Sequence, residues 1–367
     1  MRKEVLEIYF RSKPKQNQKK LMAIPMPDFS DDETPQGNSN SPFLEVEPMR
    51  MIKESLSHHE LMSLAVACDP DKTFSTSTSN GIAYDFDNPI YHTKTCTLYI
   101  ARKDNIFYAL KTTPMSKILR HEWEMFQQIG SFPTIIKPLN FWQEPNKSYF
   151  LQLEYAAGGS ITNTVLYFDV DDFWRVLAHI SAALHFIHSR GFIHFDVSPS
   201  NILQTNGNGG SVVYKLADFG TVLPDQHFDS FLEGAGPYVS PEALKWPNTP
   251  FVVSFPTDIW SLGAVLFEIV THSKMPRDPD GYDAMRNGTY DLSIIPDEFS
   301  FIRAMLSVDP SLRPTANDLL QLPHVMEVLA TLEMDTMPTN AEVSDPWEVP
   351  SSYQEEELKR RQSFDGI

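Results

Sequence analysis

One stretch constrains this chain more than any other: Phe192-Ile193-His194-Phe195-Asp196-Val197-Ser198-Pro199-Ser200-Asn201-Ile202-Leu203. It follows a run with helical apolar spacing. It precedes Ala217-Asp218-Phe219-Gly220 by a length that fits a short strand, a turn and a second strand. Asp196 can accept the proton of a hydroxyl. Asn201 and Asp218 offer the oxygen donors that a hard cation such as magnesium takes. Two carboxylates and an amide at this spacing suit phosphoryl transfer, provided that the fold gathers them in one place.

Composition narrows the classes. With 367 residues and 41% hydrophobic content, the chain can bury the core of one large domain or two ordinary ones. A formal net charge of -18 argues against a nucleic-acid surface as the main partner. The two cysteines, Cys68 and Cys96, imply no disulfide framework and suit a reducing compartment. Residues 1–10 carry charges throughout and lack the apolar stretch of a secretory signal. The most apolar run, 262–270, is short and contains Glu268, so it cannot span a bilayer. The expectation is an intracellular protein, in nucleus or cytoplasm, monomeric, with no nucleic-acid or membrane partner.

In chain order, residues 1–84 read as a largely disordered tail, basic at its start and rich in turn formers over 28–42. Thr34-Pro35 and Ser41-Pro42 are minimal sites for proline-directed kinases, and 54–66 has helical spacing that could dock on the domain. Residues 97–111 read as a strand, a polar turn at Lys103-Asp104-Asn105 and a second strand. A helix is expected over 117–129, with Trp123, Phe126 and Ile129 on one face. Residues 148–155 read as a buried strand. The next helix, 172–190, carries Phe173, Val176, Leu177, Ile180, Leu184 and Ile187 as one apolar stripe, with Asp171 or Asp172 near its start. His185, His188 and His194 do not make a zinc site, because no cysteine or further carboxylate completes one. His194 reads instead as a core residue under Phe219. Residues 331–367 form a disordered acidic tail, in which Arg360-Arg361-Gln362-Ser363-Phe364 resembles a site for a basophilic kinase.

His194-Phe195-Asp196 with Asn201, followed by Asp218-Phe219-Gly220, resembles the signature of the protein kinases. Other stretches agree in the same order. Tyr108-Ala109-Leu110-Lys111 is similar to V-A-I-K, 154–160 to the hinge, and Ser240-Pro241-Glu242 to A-P-E. The resemblance implies an α+β, bilobal protein-kinase fold over 85–330. Its small β-rich N-lobe would carry one main helix, and its C-lobe would be larger and helical. ATP and Mg2+ are the implied cofactors, with a protein as substrate. Catalysis would fall to Asp196, Lys111 and Glu122, the last as the partner of Lys111, with Glu124 as the alternative. The gap from Lys111 to Glu122 is shorter than kinases usually show. Lys111, Leu98, Ala109, Leu153, Glu154, Ala156 and Leu203 would bind ATP, with Leu153 as gatekeeper. Asn201 and Asp218 would hold the metal. Glu242 would pair with Arg313, and Asp258 would cap amides of the catalytic loop.

Asn140-Phe141-Trp142-Gln143-Glu144, then 149–155, looks like the W-x-E…L-x-E-Y run of the Wee/Myt mitotic-inhibitor kinases. Glu233-Gly234-Ala235-Gly236-Pro237-Tyr238 sits where that family has E-G-D-x-R-[YF], and Phe195 takes the place of the usual arginine before the aspartate. Activation by phosphorylation of the loop is therefore disfavoured, since no cation waits beside Asp196. The implied substrate is a tyrosine of a cyclin-dependent kinase, with serine or threonine as the alternative acceptor. Three departures favour a second reading, a pseudokinase that binds nucleotide or scaffolds. Ser198 stands for the family's lysine. Tyr91, Thr93 and Cys96 fall on the three glycines of the phosphate loop. Ala235 and Pro237 replace the family's Asp and Arg.

Overall fold

A computed structural model describes residues 74–336, apart from 75, 94–95, 147, 208–210, 226–235 and 245–253. The motifs at Thr34, Ser41, 54–66, 233–235 and 360–364 lie outside the described residues.

The first half of the described chain builds a seven-stranded antiparallel sheet. Its strands are β1 (Thr76–Ser77), β2 (Ala83–Tyr84), β3 (Tyr91–His92), β4 (Thr97–Lys103), β5 (Ile106–Thr113), β6 (Pro138–Gln143) and β7 (Tyr149–Glu154), in the order β1-β2-β4-β5-β7-β6 with β3 also on β4. β4 and β5 meet at Asp104-Asn105, both with positive φ (51° and 62°), the backbone a two-residue hairpin turn needs. Alternation divides the sheet's faces. Tyr99, Ala101, Leu110 and Phe150 bury with Ile82 and Tyr84 on one face. Ala109 and Lys111 lie opposite Leu153 and Leu151, on the other.

The sheet starts inside the segment expected to be a tail. Ile82 and Tyr84 are 2% and 7% exposed. The Glu144 carboxylate accepts from the Ser79 backbone N–H at 3.0 Å and from its hydroxyl at 3.0 Å, and from the Trp142 indole at 2.6 Å. Trp142 and Glu144 of the W-x-E stretch thus fasten the first hairpin to the sheet.

Helix α1 (Ser116–Ile129) packs on the sheet's second face after a two-residue link, Pro114-Met115, which accounts for the short lysine-to-glutamate gap. Next come β8 (Gly159–Ser160) and α2 (Val170–His188). α2 begins two residues earlier than the periodicity suggests, because the Asp169 side chain accepts the Asp172 N–H as N-cap. Its six-residue stripe is wholly buried. Then follow β9 (Phe192–Ile193), β10 (Ile202–Asn206), β11 (Val212–Leu216) and β12 (Leu223–Pro224), with β10 between β11 and β8, and β12 on β9. α3 (Phe255–Thr271) is buried along almost its whole length, including Asp258 and Glu268. The rest is helical: α4 (Pro279–Asn287), α5 (Phe301–Met305), α6 (Ala316–Leu320) and α7 (Pro323–Thr336). α7 continues past the expected boundary at 330. No helix among the described residues is long and apolar enough to cross a membrane.

Candidate active site

Lys111 on β5, Glu122 on α1 and Asp218 after β11 meet at one point. Lys111 Nζ lies 2.8 Å from Glu122 Oε2 and 3.0 Å from Asp218 Oδ1. Glu122 is fully buried, whereas Glu124 is exposed and takes no part. One turn beyond Glu122, Phe126 stacks on Phe219 with ring centroids 4.3 Å apart. That contact couples α1 to the Asp218 segment, as does His121 Nε2, 3.0 Å from the Val222 carbonyl. Burial pushes the Lys111 pKa down, but Glu122 and Asp218 outweigh it and hold the ammonium above its ordinary value. Burial pushes Asp218 up, yet the nearby Lys111 keeps it below the usual carboxylate range.

Asp196 and Asn201 form a second pair. Asn201 Nδ2 donates to Asp196 Oδ2 at 2.7 Å and to its carbonyl at 2.9 Å. The amide nitrogen is thereby committed, and the amide oxygen is left as an acceptor. The loop that carries both hangs from α3. Asp258 Oδ2 accepts the His194 N–H and Asp258 Oδ1 the Phe195 N–H, both at 2.8 Å, and His188 Nε2 lies 2.8 Å from Oδ2. Phe195 has φ 67°, a conformation that side-chain-bearing residues seldom adopt and that costs of order 1–3 kcal/mol. Two anchors hold it there: its N–H on Asp258, and its ring in an apolar cluster with Ile193, Leu223, Ala243 and Phe255. His194 meets Phe219 edge-on at 5.3 Å rather than stacking flat.

The other sequence-derived positions divide into two groups. Ala109, Leu153, Ala156 and Leu203 belong to or pack against one core cluster, and Leu98 lies opposite Lys111 in the β4–β5 register. Glu154 is differently engaged. Its backbone N–H donates to the Lys137 carbonyl at 2.9 Å. Its side chain takes the Lys137 N–H at 2.8 Å and Lys215 Nζ at 2.6 Å. No sequence signal points to Lys215, to His121 or to Thr221, whose hydroxyl donates to the His194 carbonyl at 3.0 Å. His188, which the sequence offers only as a zinc ligand, serves here as a partner of Asp258.

Two departures have visible geometry. Ser198 is buried and its hydroxyl lies 2.7 Å from that of Ser200, so the pair satisfies itself. Between β3 and β4, Thr93 N–H donates to the Cys96 carbonyl at 2.8 Å, and Cys96 N–H donates to the Thr93 hydroxyl at 3.0 Å. A glycine loop would leave such amides for phosphate. Burial pushes the Cys96 thiol up to about 11 despite nearby Lys111, so it stays protonated.

The paired glutamate expected for Arg313 is present. Arg313 Nη1 and Nη2 meet Glu242 Oε1 and Oε2 at 2.7 and 2.8 Å. The described residues contain no group of His, Cys, Asp and Glu that could by itself hold a metal.

Comparison with known proteins agrees with this architecture. A membrane-associated tyrosine- and threonine-specific cdc2-inhibitory kinase of Caenorhabditis elegans is 29% identical over 248 residues, 62% of this chain and 34% of its own length. The mitosis inhibitor protein kinase mik1 of Schizosaccharomyces pombe is 32% identical over 217 residues, 55% of this chain and 35% of its own. A Wee1-like protein kinase of Oryza sativa subsp. japonica is 30% identical over 206 residues, 55% of this chain and 38% of its own. The chain therefore spans little more than a third of the length of these curated relatives, whose names mark them as cdc2-inhibitory, mitosis-inhibitor and Wee1-like kinases. The protein kinase domain family model matches residues 92–325, well over half of the sequence, so this chain belongs to the protein kinase family.

Proposed function

We propose that this chain is an ATP-dependent, Wee-like protein kinase whose acceptor is a hydroxyl of a cyclin-dependent kinase, tyrosine first among the alternatives, and which restrains cell-cycle progression. One observation carries the reading: Lys111 Nζ bridges Glu122 and Asp218, beside a preset Asp196–Asn201 pair. Lys111, kept charged between two carboxylates, is the cation for the nucleotide's α- and β-phosphates. Ala109, Leu153, Ala156 and Leu203 supply the apolar surface for adenine. Asp196 takes the proton of the acceptor hydroxyl as that oxygen bonds to the γ-phosphorus and ADP leaves. The Asn201 amide oxygen and Asp218 suit magnesium in donor type, leaving its other positions to phosphate and water. A bound magnesium ion would neutralise charge on the phosphates. The family domain is taken to fill the chain from the first hairpin to α7.

A second reading, a pseudokinase that binds nucleotide or a partner without transfer, is favoured by the mutual Thr93–Cys96 hydrogen bonds and the self-satisfied Ser198–Ser200 pair. Full-length protein with magnesium, labelled ATP and a cyclin-dependent kinase–cyclin complex separates the two. Transfer that Asp196→Asn abolishes supports the enzyme. Tight nucleotide binding with no transfer refutes it in favour of the second reading. Phosphoamino-acid analysis then tests tyrosine against serine and threonine.

A further inference from the structure

Four consecutive carbonyls, 236–239, are captured by side chains of the helical part. Arg286 Nη2 donates to the Pro237 and Val239 carbonyls at 2.9 Å each, with a longer contact to Gly236 at 3.4 Å. The Ser261 hydroxyl donates to the Tyr238 carbonyl at 2.8 Å. The Tyr238 hydroxyl donates to buried Glu268 at 2.9 Å, and Lys274 pairs with the same carboxylate.

Arg286 is an expensive residue in this place. It is 9% exposed and lies 3.5 Å from the Tyr282 ring centroid and 5.0 Å from that of Trp260. Among the described residues no carboxylate comes within ion-pair distance of it, Asp283 acting only from farther off, and its buried Nε makes no hydrogen bond. Burying a cation with no carboxylate in direct contact is unfavourable, and an apolar side chain would fill the space more cheaply. What the guanidinium obtains in return is a fixed backbone at 236–239. On the outer side, Gly236 is exposed with φ 47°, and open space lies where a Cβ would point. The segment leads through Glu242 to Ala243, which packs in the cluster of Phe195, the neighbour of Asp196.

We propose that Arg286 is the positioning residue for the acceptor polypeptide: it shapes 236–239 into a ledge beside Asp196, with no covalent modification required. This rests on the reading of Asp196 as the group that meets the acceptor. Where a phosphate gripped by arginine could order such a segment, here a buried arginine grips the backbone directly.

The test uses full-length protein and a cyclin-dependent kinase–cyclin complex as the acceptor probe. Its Kd is measured beside that for ATP in wild type, Arg286→Gln and Arg286→Lys. Arg303→Gln is the control, because Arg303 also donates to backbone carbonyls, at Leu292 and Ile295, but far along the chain from the ledge. Arg286→Gln should weaken acceptor binding by about tenfold or more and leave ATP binding within about twofold, while Arg303→Gln changes neither. Arg286→Lys, which lacks the planar fork, should fall between. Phosphatase treatment of wild type should leave acceptor binding unchanged. Unchanged acceptor binding in Arg286→Gln, equal loss of ATP and acceptor, a phosphatase-sensitive wild type, or a wild type that binds no acceptor would each overturn the inference. Should Arg286→Gln not fold, Tyr238→Phe removes only the anchor on Glu268, and it must weaken acceptor binding in the same selective way. A wild type that binds acceptor without transferring phosphate rejects the enzyme reading and leaves this inference standing.

Discussion

A single protonation state of His194 serves every contact that it makes. Nδ1 accepts the Asp196 N–H at 3.3 Å, so Nε2 carries the proton and donates to the Ala217 carbonyl at 3.1 Å. Burial pushes its pKa down, against the pull of Asp258, Asp196 and Asp218. His179 is alike: Nδ1 accepts the Tyr214 N–H at 3.1 Å, and burial lowers its pKa to about 3. Both folded values lie below the unfolded one, about 6.5, so the unfolded chain binds more protons. Stability is therefore full above about pH 6.5 and falls as pH drops toward 3, by up to about 1.4 kcal/mol per pH unit for His179. Urea midpoints at pH 7 and pH 5 check this, and His179→Gln should narrow the difference between them. Ser198 invites the opposite kind of test. Ser198→Lys puts the lysine of the family pattern at this position and, on the proposed enzyme reading, should raise single-turnover transfer by about tenfold. No rise would mean that transfer is limited elsewhere.

At the scale of elements, the first hairpin and the Glu242–Arg313 clamp are the informative pieces. A chain starting at 85 loses Ile82 and Tyr84 from the second core and leaves Glu144 without Ser79, whereas one starting at 74 keeps both. The longer form should melt several degrees higher, since one kcal/mol corresponds to roughly 2–4 °C at this size. Arg313→Ala leaves the half-buried Glu242 without its cation and should cost about 3–5 kcal/mol, read from chemical denaturation. The sequence showed α1, α2 and β11 well because their apolar periods are long or their flanks carry turn residues. It hid the first hairpin, because two-residue strands have no period to read. The signal was nonetheless present: Asn80-Gly81 is a strong turn dipeptide, and Gly81 takes φ 73°. Composition over the polar tail outweighed it. The α2 start slipped by two residues because Asp169, Asp171 and Asp172 could each cap, and only geometry chooses among them.

For the whole molecule, order along the chain was legible and convergence was not. Lys111 and Asp218 are 107 residues apart yet 3.0 Å from each other, a contact that follows from the family signature rather than from any local pattern. Contacts made through backbone atoms, such as Arg286 on 236–239 or Thr221 on His194, left no mark on the sequence, since a carbonyl belongs to every residue alike. If the site at Lys111 and Asp218 takes nucleotide, ligand binding must stabilise the entire fold. At a concentration of one hundred times Kd, ATP with magnesium should add about 2.7 kcal/mol, seen as a rise in Tm, and a chelator should reverse most of it. No shift at any concentration would speak against both nucleotide-binding readings.

The apolar seat of Phe195 has a consequence of its own. A charge-paired latch loosens in salt, whereas a ring packed among Ile193, Leu223, Ala243 and Phe255 does not. The catalytic loop of this chain should keep its arrangement at high ionic strength, gain from sulfate, and loosen on cooling as apolar burial weakens.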